Sequence, residues 1–364
     1  MQIQVPDNKS LLKRMMADME KADELYRPTK YWMYAEDRLL PELYCLGLHD
    51  FRRRKKSVLI YFWATDLCVR GEIRHRFVKK PFVLVADFLN WLMTRTSLLT
   101  VGISSPFNDK DITPYFYTHV RRKFLTAGLD INDAQANKVG NPEDIFEIDG
   151  TVWSMYHLQH CSMVADAAKF IPFSDKMIFC ELGQGLGRTA QVLAQLYKGA
   201  TFILFDISPQ LYVCNQYLKT VFKSRVIDYE KAIKLDPKKT STQKLIKGKI
   251  VILPTWKMPE WKNIKTSIFW NSASFQEMEP NVVVNYLNLV KKMKPDWIYI
   301  NALPNGNTIL GPRSTKEPIY DRYYIDTLKE NYNFNSKFET DYFLTYAPYF
   351  SYIFKRKILK TTKE

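Results

Sequence analysis

The sequence lacks any hydrophobic run approaching the roughly 20 residues that a membrane-spanning helix needs. Residues 1–30 carry charges throughout and have no apolar core of the kind found in signal peptides. The five cysteines are odd in number, widely spaced and form no C-x-x-C pair, which argues against a disulfide framework and against a zinc or redox motif. We therefore expect a protein of the reducing cytoplasm that does not span a membrane.

Glycine is also scarce, at 13 residues in 364, and the chain contains no internal repeat or low-complexity tract. With 46% hydrophobic and 25% charged residues, the composition is that of a folded globular protein. The length favours two compact units. Residues 132–150 are polar and carry the turn signals Asn141-Pro142 and Asp149-Gly150, so we predict a domain boundary there.

The predicted N-terminal domain, residues 1–150, is mainly helical. Apolar residues recur at intervals of three and four over 10–26 and 84–99, a pattern typical of amphipathic helices. Such a domain either caps an acceptor site on the rest of the chain or forms a homodimer, and the sequence leaves both roles open.

Basic residues are in excess, and the formal net charge is +15. They cluster at 52–56 and over 223–249, where Lys and Arg clearly outnumber Asp and Glu. A field of this sign attracts polyanions, and a basic run beside an apolar stretch is typical of peripheral contact with an anionic membrane, here its inner face. Solvated loops in a lysine-rich chain explain the same pattern, so the alternatives stay open.

Residues 151–364 alternate short apolar runs with helical segments. This alternation predicts an α/β fold, with a Rossmann-like, mainly parallel sheet and helices on both of its faces. The predicted strands are 177–182, 201–206, 249–253, 267–271 and 297–301, and the predicted helices are 152–170, 188–197, 209–222 and 280–293. Residues 349–356 favour an antiparallel edge strand.

A glycine-rich loop follows the first of these strands. Glu181 ends the strand, and Gly183, Gly185 and Gly187 occupy every second position before a helix. Glycines let the backbone turn tightly and approach a ligand without a β-carbon in the way. Asp206 ends the next strand, at about the 20-residue spacing from which a carboxylate reaches the ribose hydroxyls of a bound adenosine.

Three nucleotide-binding motifs have to be separated here. A dinucleotide fingerprint would need glycine where Arg188 stands, and Glu181 would repel a pyrophosphate. The Gly-Lys-Ser/Thr ending of a P-loop is absent. S-adenosylmethionine carries no phosphate and has a positive sulfonium, so an acidic residue at the start of the loop suits it. A glycine turn that only packs a helix on a strand is the competing interpretation.

The arrangement resembles class I S-adenosylmethionine-dependent methyltransferases, and over about 149–356 it is similar to a sugar O-methyltransferase family of glycan gene clusters. The segments that carry the resemblance are 181–188, 205–212 and, most distinctively, 271–278. The resemblance implies methyl transfer to a sugar hydroxyl in surface polysaccharide biosynthesis, on an acceptor that is free, nucleotide-linked or lipid-linked. The predicted cofactor-binding residues are Glu181, Gly183, Gln184, Gly185, Gly187, Asp206, Ile207, Asn271 and Ser272.

A general base on the acceptor side needs only to take a proton, and three residues are candidates. Glu277 follows the fourth strand, and His157 and His160 lie three apart on the helix before the first strand. Glu277 is also explained as a carboxylate near a helix N-terminus, and the histidines as packing or as metal ligands beside a carboxylate. We predict no metal. Tyr156 could stack on a sugar, and the polar loop 305–313 could form an acceptor lid.

Two other functions compete with sugar methylation. The basic clusters would suit a nucleic-acid methyltransferase, but the sequence shows no recognised RNA-binding module and no Asn/Asp-Pro-Pro-Tyr/Phe motif, which disfavours nucleic acid. A non-catalytic, methyltransferase-like assembly protein would use residues 1–150 as its interaction platform.

Overall fold

The computed structural model describes residues 3–54, 57–59, 109–143, 145–306, 315, 317–340 and 349–358. The predicted helix at 84–99 and most of the predicted lid at 305–313 lie outside these residues. Among the described residues, no helix is long and apolar enough to cross a membrane.

Eleven helices are described, and several begin or end within two residues of the predicted bounds. They are α1 (Lys9–Glu20), α2 (Lys30–Leu46), α3 (Asp109–Thr126), α4 (Met155–Ala168), α5 (Arg188–Leu196), α6 (Gln210–Phe222), α7 (Tyr229–Ala232), α8 (Thr240–Ile246), α9 (Met258–Trp261), α10 (Pro280–Met293) and α11 (Asp321–Leu328). The described strands are β1 (Phe146–Ile148), β2 (Thr151–Trp153), β3 (Ile178–Leu182), β4 (Thr201–Asp206), β5 (Val226–Ile227), β6 (Ile250–Pro254), β7 (Ile268–Ser272), β8 (Trp297–Ala302), β9 (Tyr332–Glu339) and β10 (Phe350–Arg356).

Eight of these strands form one sheet in the order β5-β6-β4-β3-β7-β8-β10-β9. From β3 the chain moves outward to β4 and β6, then returns past β3 to add β7 and β8, all of them parallel. The order reverses between β3 and β7, and ligands of open α/β sheets bind at the carboxyl ends of the strands at such a switch point. The predicted Rossmann-like α/β fold is therefore confirmed, and its topology fixes where a site should lie.

The predicted edge strand at 349–356 is β10, and the expectation was half right. β10 runs antiparallel, but it pairs with β8 on one side and with β9 on the other, so it lies inside the sheet. The edge is β9, which the sequence analysis missed. Its residues are mostly polar and exposed, and they form a strand because β10 supplies hydrogen-bonding partners.

Alternate residues of the sheet bury into two different layers, as the period of a strand requires. Phe179 packs into one hydrophobic cluster together with residues of α4, α5 and α6, while the next residue, Cys180, packs into the other with α10 and α11. Buried residues of α1, α2 and α3 belong to the same cluster as α4 to α6. The N-terminal helices thus share a core with the sheet, and the division at residue 150 stays a prediction.

Residues 52–54 of the basic run form contacts that stabilise the N-terminal region. Arg52 is fully buried, and its guanidinium donates to the carbonyl oxygens of Asn137 at 3.0 Å and Val139 at 2.8 Å. Arg53 pairs with Glu143, and Arg54 pairs with Glu42. Residues 55 and 56 lie outside the described residues. The side chains of 52–54 are therefore already committed to partners within the chain.

Candidate functional site

The glycine loop between β3 and α5 lies at the switch point of the sheet. Gly183 donates its amide to the Phe205 carbonyl at 2.8 Å, which ties the start of the loop to the end of β4. Gly183 has a φ of 74°, and a β-carbon on it would lie 2.5 Å from Ser274 Cβ. The loop therefore needs glycine there, because the turn after β7 approaches it too closely for any side chain.

Asp206, at the end of β4, closes the loop from the other side. Its two carboxylate oxygens accept the amide hydrogens of Gly185 and Ile207, each at 2.8 Å. Burial raises the pKa of this carboxyl to about 7, although both amide hydrogen bonds act in the opposite direction. Each oxygen keeps a second lone pair, so the carboxylate shapes the loop and can still accept a ligand hydroxyl.

Glu181 is only 2% exposed and is the penultimate residue of β3, beside the same loop. Burial and then the Asp206 charge raise the pKa of its carboxyl to about 8, although a hydrogen bond from Thr189 acts in the opposite direction. Its Oε2 has no hydrogen-bond partner in the described part of the chain. A buried carboxylate without a cation is costly, so this position favours either a proton or a positively charged ligand.

A cleft with an empty volume of about 610 Å³, including its mouth, opens over the loop. Two further buried polar side chains face it: Gln184, whose amide interacts with the Cys214 thiol, and Gln210, whose amide has no hydrogen-bond partner in the described part of the chain. Unsatisfied buried amides are rare in folded proteins and indicate an absent partner. The other residues lining the cleft are Trp32, Tyr156, His160, Glu181, Gly183, Gly185, Thr189, Asp206, Ser272, Ala273, Ser274 and Glu277.

A second, more apolar cavity adjoins the first, with an empty volume of about 360 Å³ that includes open solvent. The two cavities share Trp32, Gly183, Asp206 and Ser274, so they meet beside the Asp206 carboxylate. Apolar groups dominate the far side of the second cavity, including Ile207, Met278, Val282 and Tyr286. Together the cavities suit an elongated ligand with a flat apolar group at one end and charged groups at the other.

An N-terminal segment, residues 26–32, covers this junction, and the sequence analysis did not anticipate it. The Trp32 indole donates its Nε1 hydrogen to Glu277 Oε2 at 3.0 Å, and the Thr29 hydroxyl donates to the Glu277 carbonyl at 2.7 Å. On the far side, the Thr255 hydroxyl donates to the Tyr26 carbonyl at 2.7 Å. The aromatic run Tyr31-Trp32 was the available signal, but nothing local connects it to a residue 245 positions later.

Glu277 lies at the rim of the cleft, where it was expected. Burial raises the pKa of its carboxyl to about 8, the Trp32 hydrogen bond lowers it, and the Asp206 charge raises it. A carboxyl with a pKa near neutrality exchanges its proton readily at physiological pH, which is the property of a general base.

The two histidines of α4 have different surroundings. His160 lines the cleft, contacts the Tyr156 ring edge-on, and has its Nδ1 3.0 Å from the Thr189 hydroxyl. His157 is fully buried away from the cleft, with its Nε2 2.7 Å from the Ala134 carbonyl. The structure does not bring the two together, and in its described part no group of three or more His, Cys, Asp or Glu could hold a metal ion.

Asn271 and Ser272 also diverge, although they are neighbours at the end of β7. The Asn271 amide donates to the Leu182 carbonyl at 2.9 Å and accepts from the Phe275 amide at 3.1 Å, so this side chain joins strands and does not line the cleft. Ser272 does line it. Gly187 lies outside both cavities, where it caps the start of α5.

No protein-family model matches the chain, and no curated protein matches it either. Solved structures do. A SAM-dependent methyltransferase from Aquifex aeolicus is 11% identical, with 50% of this chain and 82% of that chain covered and a TM-score of 0.34. The magnesium protoporphyrin IX methyltransferase of Synechocystis with bound SAH is 13% identical, with coverage of 69% and 100% and a TM-score of 0.38.

Fibrillarin from Aeropyrum pernix, in complex with natively bound S-adenosyl-L-methionine, is 14% identical, with 61% of this chain and 86% of that chain covered and a TM-score of 0.38. Likenesses of this degree do not identify a cofactor or a substrate.

Proposed function

We propose that the protein is an S-adenosylmethionine-dependent O-methyltransferase. The observation that carries the proposal is the pair of buried carboxylates, Glu181 and Asp206, on a glycine loop at the switch point of the sheet. No lysine or arginine of the described chain offsets either charge. A ligand with positive charge and no phosphate meets this requirement, and S-adenosylmethionine has an ammonium, a sulfonium and no phosphate.

The residues present fit that cofactor at each end. Glu181, Gln184 and the unpartnered amide of Gln210 would hold the amino-acid part, and Asp206 would accept the ribose hydroxyls. The apolar cavity at Ile207 and its neighbours would take the adenine ring. When bound, the cofactor supplies an electrophilic methyl group on a sulfonium.

The chain's own residues would then orient and deprotonate the acceptor. Tyr156, His160 and Ser272 line the same cleft and offer an aromatic face and polar atoms to a hydroxyl-bearing ligand. Holding a hydroxyl in line with the methyl contributes several kcal/mol of the barrier through proximity. Glu277 would take the hydroxyl proton, and general bases typically contribute about 10² to 10⁴-fold in rate.

A sugar hydroxyl is the acceptor that we propose, in surface polysaccharide or glycan biosynthesis. The similarity of segments 181–188, 205–212 and 271–278 to a sugar O-methyltransferase family supports it. The mixed lining of the cleft supports it as well, because sugars are bound by aromatic faces together with carboxylates and hydroxyls. Asn271 then has a positioning role, since its amide fixes the turn that carries Ser274 and Glu277.

Calorimetry and turnover test the two halves of this proposal separately. We expect the purified protein to bind S-adenosylmethionine, and Asp206→Ala to weaken binding strongly, while Asp326→Asn on the exposed face of α11 leaves it unchanged. Formation of S-adenosylhomocysteine is then measured with free, nucleotide-linked and lipid-linked sugars and with RNA. Absence of cofactor binding would refute the enzyme assignment. Turnover on RNA alone would support the methyltransferase assignment and refute the sugar as acceptor.

A further inference from the structure

The amino edge of the sheet, opposite the cleft, carries a row of exposed lysines with about one lysine per strand. Successive parallel strands are preceded by Lys247 before β6, Lys198 before β4, Lys176 before β3, Lys265 before β7 and Lys294 before β8. Lys355 lies at the same edge, because β10 is antiparallel and Lys355 pairs with Trp297. All six are exposed.

These six lysines form no ion pair or side-chain hydrogen bond in the described part of the chain. The acidic residues nearby are few: Asp296 pairs with Arg356, Asp175 accepts the Gly199 amide at 2.8 Å, and Glu330 lies beside β9. With strands about 4.8 Å apart, the row from β6 to β10 spans about 24 Å. The row is therefore a linear basic surface whose charge is mostly uncompensated.

Two open cavities lie along this row, each next to an exposed aliphatic side chain. The first includes Lys176, Lys247 and Lys265. Leu245 lies on α8, two residues before Lys247, and is 54% exposed. The second includes Lys294 and Lys355 and is bordered by Ile358, which is 91% exposed.

The second cavity also has features of a built site. The Tyr332 side chain lines it, is only 2% exposed, and has a hydroxyl without a hydrogen-bond partner in the described part of the chain. Trp297 lies beside it with the Lys355 ammonium 5.1 Å from its ring centroid. An amphipathic aromatic ring and several ammonium groups together suit a phosphate-bearing headgroup at a membrane interface.

We propose that this amino edge docks the protein on a membrane surface that contains anionic lipids. Lysines near such a surface each contribute about 1 kcal/mol to binding. The exposed aliphatic side chains decide between partners, because Leu245 and Ile358 gain by entering the acyl boundary and gain nothing on a nucleic-acid backbone. The basic run at 52–56 was one candidate for such a contact, with a solvated loop as the alternative, and the side chains of 52–54 are engaged internally. The basic excess over 223–249 contributes Lys247 to the row.

This orientation has a consequence for the acceptor, which rests on the proposed function. The cleft lies at the carboxyl edge, and a five-residue strand separates the two edges by about 17 Å. A docked protein would turn its cleft toward the aqueous phase. Free or nucleotide-linked sugars would then reach it more easily than lipid-linked ones.

Vesicle co-sedimentation without cofactor tests the docking surface independently of methyl transfer. We expect the full chain to bind phosphatidylcholine vesicles mixed with phosphatidylglycerol, to ignore phosphatidylcholine alone, and to dissociate with added salt. The triple variant K176Q/K265Q/K294Q should lower the partition coefficient by roughly 10²-fold, or about fivefold for each lysine. The matched control K9Q/K13Q/K21Q, at exposed lysines of the N-terminal region, should bind as the wild type does.

A second pair of variants identifies the partner. L245S/I358S should reduce vesicle binding several-fold and leave binding to a single-stranded oligonucleotide unchanged. The proposal is overturned if neutral vesicles bind equally well or if the control triple loses as much affinity as the test triple. It is also overturned if vesicles do not bind and the oligonucleotide binds with the same lysine dependence. Thermal unfolding of each variant confirms that the fold is retained.

Discussion

The two edges of the sheet both carry uncompensated charge, but they differ in sign and in burial. At the carboxyl edge, Glu181 and Asp206 are almost fully buried, whereas at the amino edge lysines such as Lys176 and Lys265 are exposed. A buried charge without a partner costs several kcal/mol, while an exposed one stays hydrated at little cost. The carboxyl edge therefore favours a proton or a positively charged ligand, whereas the amino edge attracts anions without needing one.

Glu277→Gln should have the largest effect at the carboxyl edge. The amide cannot take a proton from the acceptor, so we expect kcat to fall by roughly 10² to 10⁴-fold with little change in cofactor affinity. Steady-state kinetics and calorimetry measure the two quantities. Glu279→Gln, two residues later at the start of α10, is the matched control. An unchanged kcat in the Glu277→Gln enzyme would remove Glu277 from the chemistry.

Glu181→Gln should lower the affinity for the cofactor and raise the stability of the free protein. Loss of a charge-assisted contact to the cofactor, about 1.5–3 kcal/mol, should raise Kd roughly 10 to 150-fold. The free protein should meanwhile become more stable at pH 8, since an unpaired buried charge is removed. Calorimetry and thermal unfolding without cofactor check the pair of effects. A variant that is destabilised at pH 8 would show that the hydrogen bond from Thr189 stabilises the fold more than the buried charge destabilises it.

Trp32→Phe should shift the pH dependence of kcat. The indole donates to the Glu277 carboxylate and lowers its pKa, so removing this donor should raise that pKa and move the rise of kcat with pH upward by about one unit. The phenyl ring keeps most of the packing. A pH profile of the same shape and midpoint as that of the wild type would show that Trp32 does not act through Glu277.

The stability of the free protein should fall as pH rises from about 5 to 8. The pKa values of Glu181 and Glu277 are raised from 4.5 to about 8, and that of Asp206 from 3.8 to about 7, so the folded state binds these protons more tightly than the unfolded state. The contribution of these groups to stability is complete below their pKa values in the unfolded chain. It is lost as pH rises through their pKa values in the folded protein. Saturating S-adenosylmethionine should reduce this slope. Unfolding midpoints across the pH range, with and without cofactor, measure it.

Lys294→Gln should have the smallest effect. Because Lys294 is exposed and has no ion pair in the described residues, the free energy of unfolding should change by less than about 0.5 kcal/mol, with no change in its pH dependence. Denaturant unfolding of the Lys294→Gln and Glu181→Gln variants, measured side by side, compares the two edges of the sheet. A large loss of stability would mean that Lys294 forms contacts on which the fold depends, as the buried side chains of the carboxyl edge do.

Local patterns in the sequence were sufficient for the glycine loop and for the parallel half of the sheet. Gly183, Gly185 and Asp206 act through backbone turns and strand ends, which short segments determine, and the predicted bounds of β4 and α10 match the structure. The partner of Glu277 could not be found in this way. Trp32 reaches it through the docking of a distant helix, which depends on the packing of the whole core.

The directions in which side chains point were the second feature that local sequence patterns could not predict. His157 and His160 satisfy the same-face spacing of a helix, but one contacts the Ala134 carbonyl and the other the cleft. Asn271 ends a strand at the site, but neighbouring backbone groups engage its amide. His157 and Asn271 thus contact backbone groups instead of facing the cleft. Spacing along the sequence does not predict which of several nearby partners a polar side chain contacts.

The segment 26–32 is attached at both ends, by Thr255 to Tyr26 and by Trp32 and Thr29 to Glu277, and it covers the place where the two cavities meet. The proposed cofactor would lie partly beneath this segment, so breaking these contacts would widen the path by which it exchanges. Amide hydrogens of 26–32 should accordingly exchange with solvent more slowly when the site is filled.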